Sequence, residues 1–182
     1  MKILAFAATA STRSINRKIV DYASSLLTAG LLDGVDVEVE TIDLDDFEMP
    51  IYSEDRERDG GIPKLAHDFF EAIGDADAVL ISFAEHNGFY TAAYKNLFDW
   101  TSRIDMKVYQ GKPVVLFSTS PGQGGGANVL NTAVMSGTFF GYDVKASLAI
   151  PSFYENFDTA ADSLSNDDLD SSLRAALLTL AS

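Results

Sequence analysis

Three short stretches concentrate the side chains and glycines that could hold a ligand, and none supplies a nucleophile beside a base. The first is Ala8-Thr-Ala-Ser-Thr-Arg-Ser-Ile-Asn16, which brings four hydroxyls, an amide and a guanidinium to the start of a helical pattern. A helix N-terminus carries free N–H donors and a partial positive charge, so this is a setting for an anion. Arg13, Arg17 and Lys18 put three of the chain's 13 basic residues within six positions. In a chain of formal charge −14, that concentration points to a bound phosphate. The plainer alternative is that Ser14 caps the helix and the basic residues decorate its first turns.

The second stretch is Ala84-Glu-His-Asn-Gly-Phe-Tyr90. Glu85, His86 and Asn87 end an apolar run, where polar groups are costly unless they serve a ligand or one another. Asn87-Gly88 is a turn signal, but a helical rather than an extended pattern follows, so a tight hairpin is not expected. The alternative is a left-handed Asn87 in a solvated turn. The third stretch is Ser118-Thr-Ser-Pro-Gly-Gln-Gly-Gly-Gly126, with four glycines in five residues. Missing Cβ atoms there let a flat ligand approach the backbone, although glycine-rich loops also serve as plain connectors. Gly122 to Ala127 fits a permissive G-x-G-x-x-A dinucleotide pattern, but after the fourth apolar run and with no acidic residue ending the next.

Composition removes other chemistries. With no cysteine, disulfides, thiolate catalysis and cysteine-held metals are excluded, and two histidines cannot build a histidine-rich metal site. No phosphate-loop, nucleophile-elbow or H-E-x-x-H motif occurs. The acidic balance opposes nucleic acid or an anionic membrane as partner. The apolar runs are too short to span a bilayer. The opening residues 1–11 read as a first strand rather than a signal peptide, and the expected setting is cytoplasmic.

The elements that must position these loops follow from five apolar runs, each followed by a helix-like stretch. Ile3–Ala8, Ala78–Ala84 and Val114–Phe117 are nearly continuously apolar, as strands buried on both faces are. Residues 35–42 alternate cleanly, and 144–150 more weakly, as edge strands with one wet face do. Helices are predicted near 14–29, 62–74, 91–105, 125–140 and 166–181. Alternating strands and helices give an α/β fold, a doubly wound five-stranded parallel sheet with helices on both faces. Central runs one, three and four with edges two and five select the order 2-1-3-4-5; the charges at Asp36, Glu38 and Glu40 argue against burying run two. Residues 1–182 read as a single domain, with an exposed acidic excursion over Asp43–Gly61. Ligands bind such sheets where strand order reverses, between strands one and three, beside all three stretches.

At these residues the chain resembles the NAD(P)H-dependent FMN reductase family, a flavodoxin-like group that includes bacterial quinone and chromate reductases. The family's first loop, roughly G-S-x5-S-x-N, stands here as Ala8-Thr9, five residues, then Ser14-Ile15-Asn16. Its second, P-E-Y-N-G followed by L-K-N-x-x-D-W, stands as Ala84-Glu85-His86-Asn87-Gly88 and Tyr94-Lys95-Asn96-Leu97-Phe98-Asp99-Trp100. Its third, S-x-S-P-G-x-x-G-G, stands as Ser118 to Gly126. The chain departs from the pattern at Ala8, Thr9, Ser11, Ala84 and His86.

The resemblance implies non-covalent FMN, with Thr9, Ser11, Arg13, Ser14, Ile15 and Asn16 around its 5′-phosphate. Glu85, His86, Asn87, Gly88, Ser120, Pro121, Gly122 and Gly124 would flank its ring. No side chain is required as a catalytic acid or base: hydride from NADPH or NADH would pass through flavin N5 to a quinone or similar small acceptor, in ping-pong fashion. The alternative is a non-catalytic electron carrier or flavin-binding or sensing module on the same fold. The resemblance also implies a homodimer or homotetramer, for which Phe89, Tyr90, Tyr94, Phe98, Trp100, Phe139 and Phe140 would be interface or core. Arg56 and Arg103 are the candidates for a 2′-phosphate contact.

Overall fold

The computed structural model describes residues 1–181. Five parallel strands form the sheet: β1 (Lys2–Ala8), β2 (Glu38–Thr41), β3 (Ala78–Phe83), β4 (Pro113–Thr119) and β5 (Asp143–Ile150). Their spatial order is β2-β1-β3-β4-β5, as the edge and centre patterns predict. The register runs through the middle without slippage, Leu4 pairing with Val79 and Val79 with Val114. β2 is shorter than the alternating run predicts. Val35 and Val37 pack against the core without joining the ladder.

Because side chains alternate along each strand, the sheet feeds two cores. Leu4, Phe6, Ile81, Phe83 and Leu116 face α3 (Lys64–Asp75), α4 (Ala92–Thr101) and α5 (Ala127–Gly137). Ile3, Ala5, Leu80, Val115 and Phe117 face α1 (Ile15–Thr28) and α7 (Asp167–Leu178) on the other side. The helices begin where capping chemistry places them: Ser14 accepts from the N–H of Asn16, Thr91 from that of Tyr94, and Asn166 from those of Asp168 and Leu169. No helix among the described residues is long and apolar enough to cross a membrane.

The 43–61 segment is largely exposed, as its acidity predicts, but it is ordered and anchored rather than free. A helical turn at Leu44–Phe47 buries Leu44, Met49 is buried beyond it, and α2 (Glu54–Gly60) follows. The segment is held by α4. Trp100 Nε1 donates to the Pro50 carbonyl at 2.7 Å, and the Asn96 amide bonds the Tyr52 N–H at 2.9 Å and the Met49 carbonyl at 3.0 Å. Tyr52 also meets the Trp100 ring edge-on, 5.0 Å between centroids. The most specific family-like motif, Lys95 to Trp100, is therefore a structural clasp, with Lys95 and Asp99 paired on its outer face. The acidic run before α7 is likewise shaped: Phe157–Asp158 and Ser163–Leu164 form a two-stranded ribbon, and Asp162 pairs with Lys18.

Under α4 lies a network of three buried tyrosines. Tyr94 Oη bonds Tyr109 Oη at 3.0 Å and Tyr142 Oη at 2.9 Å, while the Tyr109 and Tyr142 rings stack 4.0 Å apart. Burial raises the pKa of each above the ordinary tyrosine value, so the neutral hydroxyl is favoured in the fold. The linkage has one sign: stability is complete below the unfolded tyrosine pKa near about 10 and declines as pH rises past it, because only the unfolded chain ionises readily. Urea unfolding at increasing pH should show stability falling above about pH 10, with a shallower fall in Tyr109→Phe. A flat profile would contradict this placement.

Candidate functional site

The three loops meet at the carboxyl end of the sheet in one cleft of about 280 Å³. It lies where strand order reverses between β1 and β3, the position at which such sheets bind ligands. Ten predicted residues line it: Thr9, Ser11, Arg13, Ser14, Ile15 and Asn16 from the first loop, Glu85 and His86 from the second, Ser120 and Pro121 from the third. Ala84, Thr119 and Tyr154 complete the wall. Tyr154 comes from α6 (Phe153–Asn156), beyond the fifth strand. The sequence reading missed it because it confined attention to the three loops nearest the reversal.

Asn16 sits deepest and is the most constrained. Its Oδ1 accepts from Ser82 Oγ at 2.8 Å and from the Thr119 N–H at 3.0 Å, and its Nδ2 donates to the Thr119 carbonyl at 3.2 Å. The side chain, expected to contact phosphate, instead joins α1 to β3 and β4. Thr9 Oγ1 accepts from the Ser11 N–H, and Ser14 Oγ from the Asn16 N–H, so the loop closes on itself. At the start of α1 the N–H groups of Ile15 and Arg17 have no protein acceptor among the described residues.

The basic trio divides. Arg17 pairs with Asp43 and holds its carboxyl below the usual aspartate range, while Lys18 reaches Asp162 at 2.7 Å. Arg13 alone borders the cleft, and it has no carboxylate partner among the described residues. An unpaired guanidinium beside free helix N–H groups and three hydroxyls is the donor set of an oxyanion such as a phosphate.

The second loop corrects the sequence reading. Glu85 pairs with Tyr90 and His86 with Phe89 as an antiparallel hairpin, and Asn87 and Gly88 turn it with φ of 55° and 78°. Both turn residues take positive φ, the signature of the tight Asn-Gly turn. Two residues per arm suffice, because α4 begins only at Ala92. Asn87 and Gly88 thus occupy the tip, outside the cleft lining. Glu85 is committed to structure as well: its carboxylate accepts from the Val129 N–H at 3.0 Å. It caps α5, whose own cap position is Gly126.

The third loop uses its glycines in two ways. A Cβ at Gly125 would stand 2.8 Å from the Ile150 carbonyl, and both Gly125 and Gly126 have positive φ, so these two are required by packing. A Cβ at Gly124 meets open space, and at Gly122 only Ser120 Oγ at 3.9 Å. Gly122 and Gly124 stand outside the cleft lining but leave the surface beside it low. Of the aromatic residues considered for an interface, Tyr94, Phe98 and Trp100 fill the core, whereas Phe89 and Phe139 are exposed.

Comparisons with known proteins identify the family and the fold. The family model described as NADPH-dependent FMN reductase matches residues 1–155. A quinone reductase of Escherichia coli is 35% identical over 80 residues, 44% of this chain and 43% of its own length. An NAD(P)H-dependent FMN reductase of Pseudomonas aeruginosa is 30% identical over 128 residues, 70% of this chain and 64% of its own. The matched segments thus span less than two thirds of these relatives. Among solved structures, the flavoenzyme FerB, an NAD(P)H:(acceptor) oxidoreductase from Paracoccus denitrificans, superposes with a TM-score of 0.74 at 21% identity, covering 99% of this chain and 94% of that one.

The Asn16 contacts generate a direct test. Asn16→Ala strands the Ser82 hydroxyl and both Thr119 backbone groups in a buried site, at about 1–3 kcal/mol for each unpaired group. Chemical denaturation should register a loss of about 3 kcal/mol or more. A variant within ~0.5 kcal/mol of wild type would show that the clasp is not structural.

Proposed function

The chain belongs to the NADPH-dependent FMN reductase family, and from that premise we propose that it is a single-domain, cytoplasmic oxidoreductase passing reducing equivalents from NAD(P)H to quinones or similar small acceptors. The observation that carries this reading is Arg13, the one member of the basic trio left without a carboxylate, placed beside the free N–H groups of α1 at the sheet's switch point. The donor set fits FMN: hydroxyls, guanidinium and helix N–H groups suit a phosphate, and the open ground at Gly122 and Gly124 suits a flat ring.

Thr9, Ser11, Arg13 and Ser14, with the N–H groups of Ile15 and Arg17, would hold the phosphate. Asn16 would keep that loop seated rather than bond the phosphate with its side chain. Glu85, His86, Asn87 and Gly88 would present one wall to the ring through the hairpin, and Ser120, Pro121, Gly122 and Gly124 the other. When bound, FMN supplies hydride transfer between nicotinamide and acceptor, the two taking turns at one site. The protein's part is to bind, orient and stabilise charge with N–H donors.

For the nicotinamide, neither proposed arginine is idle. Arg103 donates to Glu57 at 2.9 Å, and Arg56 to the Ile51 carbonyl. Both NADH and NADPH therefore remain within the proposal. Assembly as a homodimer or homotetramer belongs to it too, supported by the exposure of Met135 (86%), Phe139 (60%) and Phe89 (47%).

The test is spectroscopic. Purified protein mixed with FMN should show bound-flavin bands that bleach with NADPH or NADH under anaerobic conditions and return on adding a quinone. Bands that fail to bleach with either nicotinamide would instead indicate a carrier or sensor, and no binding would overturn the reading. Arg13→Ala should weaken FMN affinity about 10- to 100-fold, the loss of one or two charge-assisted hydrogen bonds. Its melting temperature should not change, since the side chain is exposed and unpaired.

A further inference from the structure

The cleft has one wall that the three loops do not supply. Tyr154, on α6, borders it together with Arg13, Ser120 and Pro121, and is 68% exposed. Its ring meets Phe153 edge-on at 5.3 Å, while its hydroxyl has no hydrogen-bond partner among the described residues. The turn that carries it is fixed. Ser152 takes a left-handed backbone, φ 45°, as the chain leaves β5. The N–H groups of Ser152 and Phe153 then donate to the Gly122 and Ser120 carbonyls of the third loop at 2.9 and 3.0 Å. The Asn156 amide closes the turn on the Pro151 carbonyl at 2.9 Å. Phe153 is fully buried and stacks on Phe157, which meets Tyr22 of α1 edge-on. These contacts hold α6 on the face of the sheet that carries α1. The 85–90 hairpin packs on the opposite face, Tyr90 lying against Phe83. Tyr154 therefore reaches the cleft from the side of α1 and its free N–H groups.

We propose that Tyr154 is a specificity-determining residue of the cleft: its phenol donates to the 5′-phosphate of FMN and so favours FMN over riboflavin. The inference deepens the flavin reading and rests on it. A phenol is a neutral donor, and its bond to a phosphate oxygen is charge-assisted. Neutrality matters in this part of the chain, where the carboxylates of Glu155, Asp158 and Asp162 would repel an anion. None of those three borders the cleft, whereas the phenol does. Contact with the flavin ring is the competing role for an aromatic side chain. It is disfavoured because the hairpin proposed to wall the ring packs on the opposite face of the sheet, and because the hydroxyl is the part of Tyr154 left without a partner.

The experiment compares wild type, Tyr154→Phe and Tyr154→Ala. FMN and riboflavin affinities are read by flavin fluorescence, and inorganic phosphate binding by phosphorus NMR titration. Tyr154→Phe keeps the ring and should weaken FMN about 10-fold with riboflavin unchanged, the loss of one charge-assisted hydrogen bond. Tyr154→Ala should weaken FMN to the same extent, again leaving riboflavin and the melting temperature as they were, because the side chain is exposed. FMN affinity unchanged in Tyr154→Phe would overturn the proposal. So would a fall shared equally by riboflavin in either variant, which would place the side chain against the ring. Should wild type bind no FMN, the flavin reading fails separately. Phosphate binding that Tyr154→Phe weakens would then still support the contact, and phosphate binding that is absent or indifferent to the change would overturn it.

Discussion

The Asn16 amide, buried at the point where strand order reverses, is the contact through which the rest of the site is organised. Its three hydrogen bonds reach the Ser82 side chain and both backbone groups of Thr119. They bind the first turn of α1 to the ends of the two adjacent central strands. A parallel sheet leaves its strand ends splayed toward solvent, and each loop departs independently. A single amide carries acceptor and donor on one planar group, so it satisfies two strands at once. The loop from Thr9 to Ser14 thereby closes over a fixed helix end, whose first residues, Ile15 and Asn16, line the cleft.

Charge is distributed around this anchor with the same economy. The chain carries 27 acidic residues against 13 basic ones, so most cations find a carboxylate near them: Arg17 at Asp43, Lys18 at Asp162, Arg103 at Glu57, Arg174 at Asp170. Exposed pairs of this kind add little stability each. Their consequence is selective: they remove competing cations and leave Arg13 as the guanidinium at the cleft. Glu85, the acid that lines the cleft, has its carboxylate engaged by the Val129 N–H of α5. The hairpin is thereby fastened to the helix behind it and forms one wall of the cleft.

Much of this was legible in the sequence because it depended on periodicity and on local chemistry. The charges of Glu38 and Glu40 fell on an edge strand whose side chains are mostly exposed, and that fixed the strand order. Ser14, in the loop before an amphipathic run, capped it. What stayed hidden were bonds between distant segments. Trp100 and Asn96 pin residues some fifty positions earlier, and nothing local to the acidic run from Asp43 announces that it is held. Asn16 looked like a phosphate ligand because its partners lie 66 and 103 residues away. The Asn-Gly turn was read correctly as a turn, but the helical pattern that follows it argued against a hairpin and hid the two-residue ladder. Gly125 and Gly126 were grouped with Gly122 and Gly124, although the neighbours a Cβ would meet, Ile150 at Gly125 and Ser118 at Gly126, show which pair is packed and which is open.

The central claim is that the cleft is built around a phosphate, with the ring held as a consequence. The most direct measurement compares the affinities of FMN and riboflavin, which share the ring and differ in the phosphate, by quenching of flavin fluorescence. Two or more charge-assisted hydrogen bonds to a phosphate should favour FMN by about 100-fold or more. Equal affinities would contradict the account, because the Arg13 loop and the head of α1 would then contribute nothing to recognition.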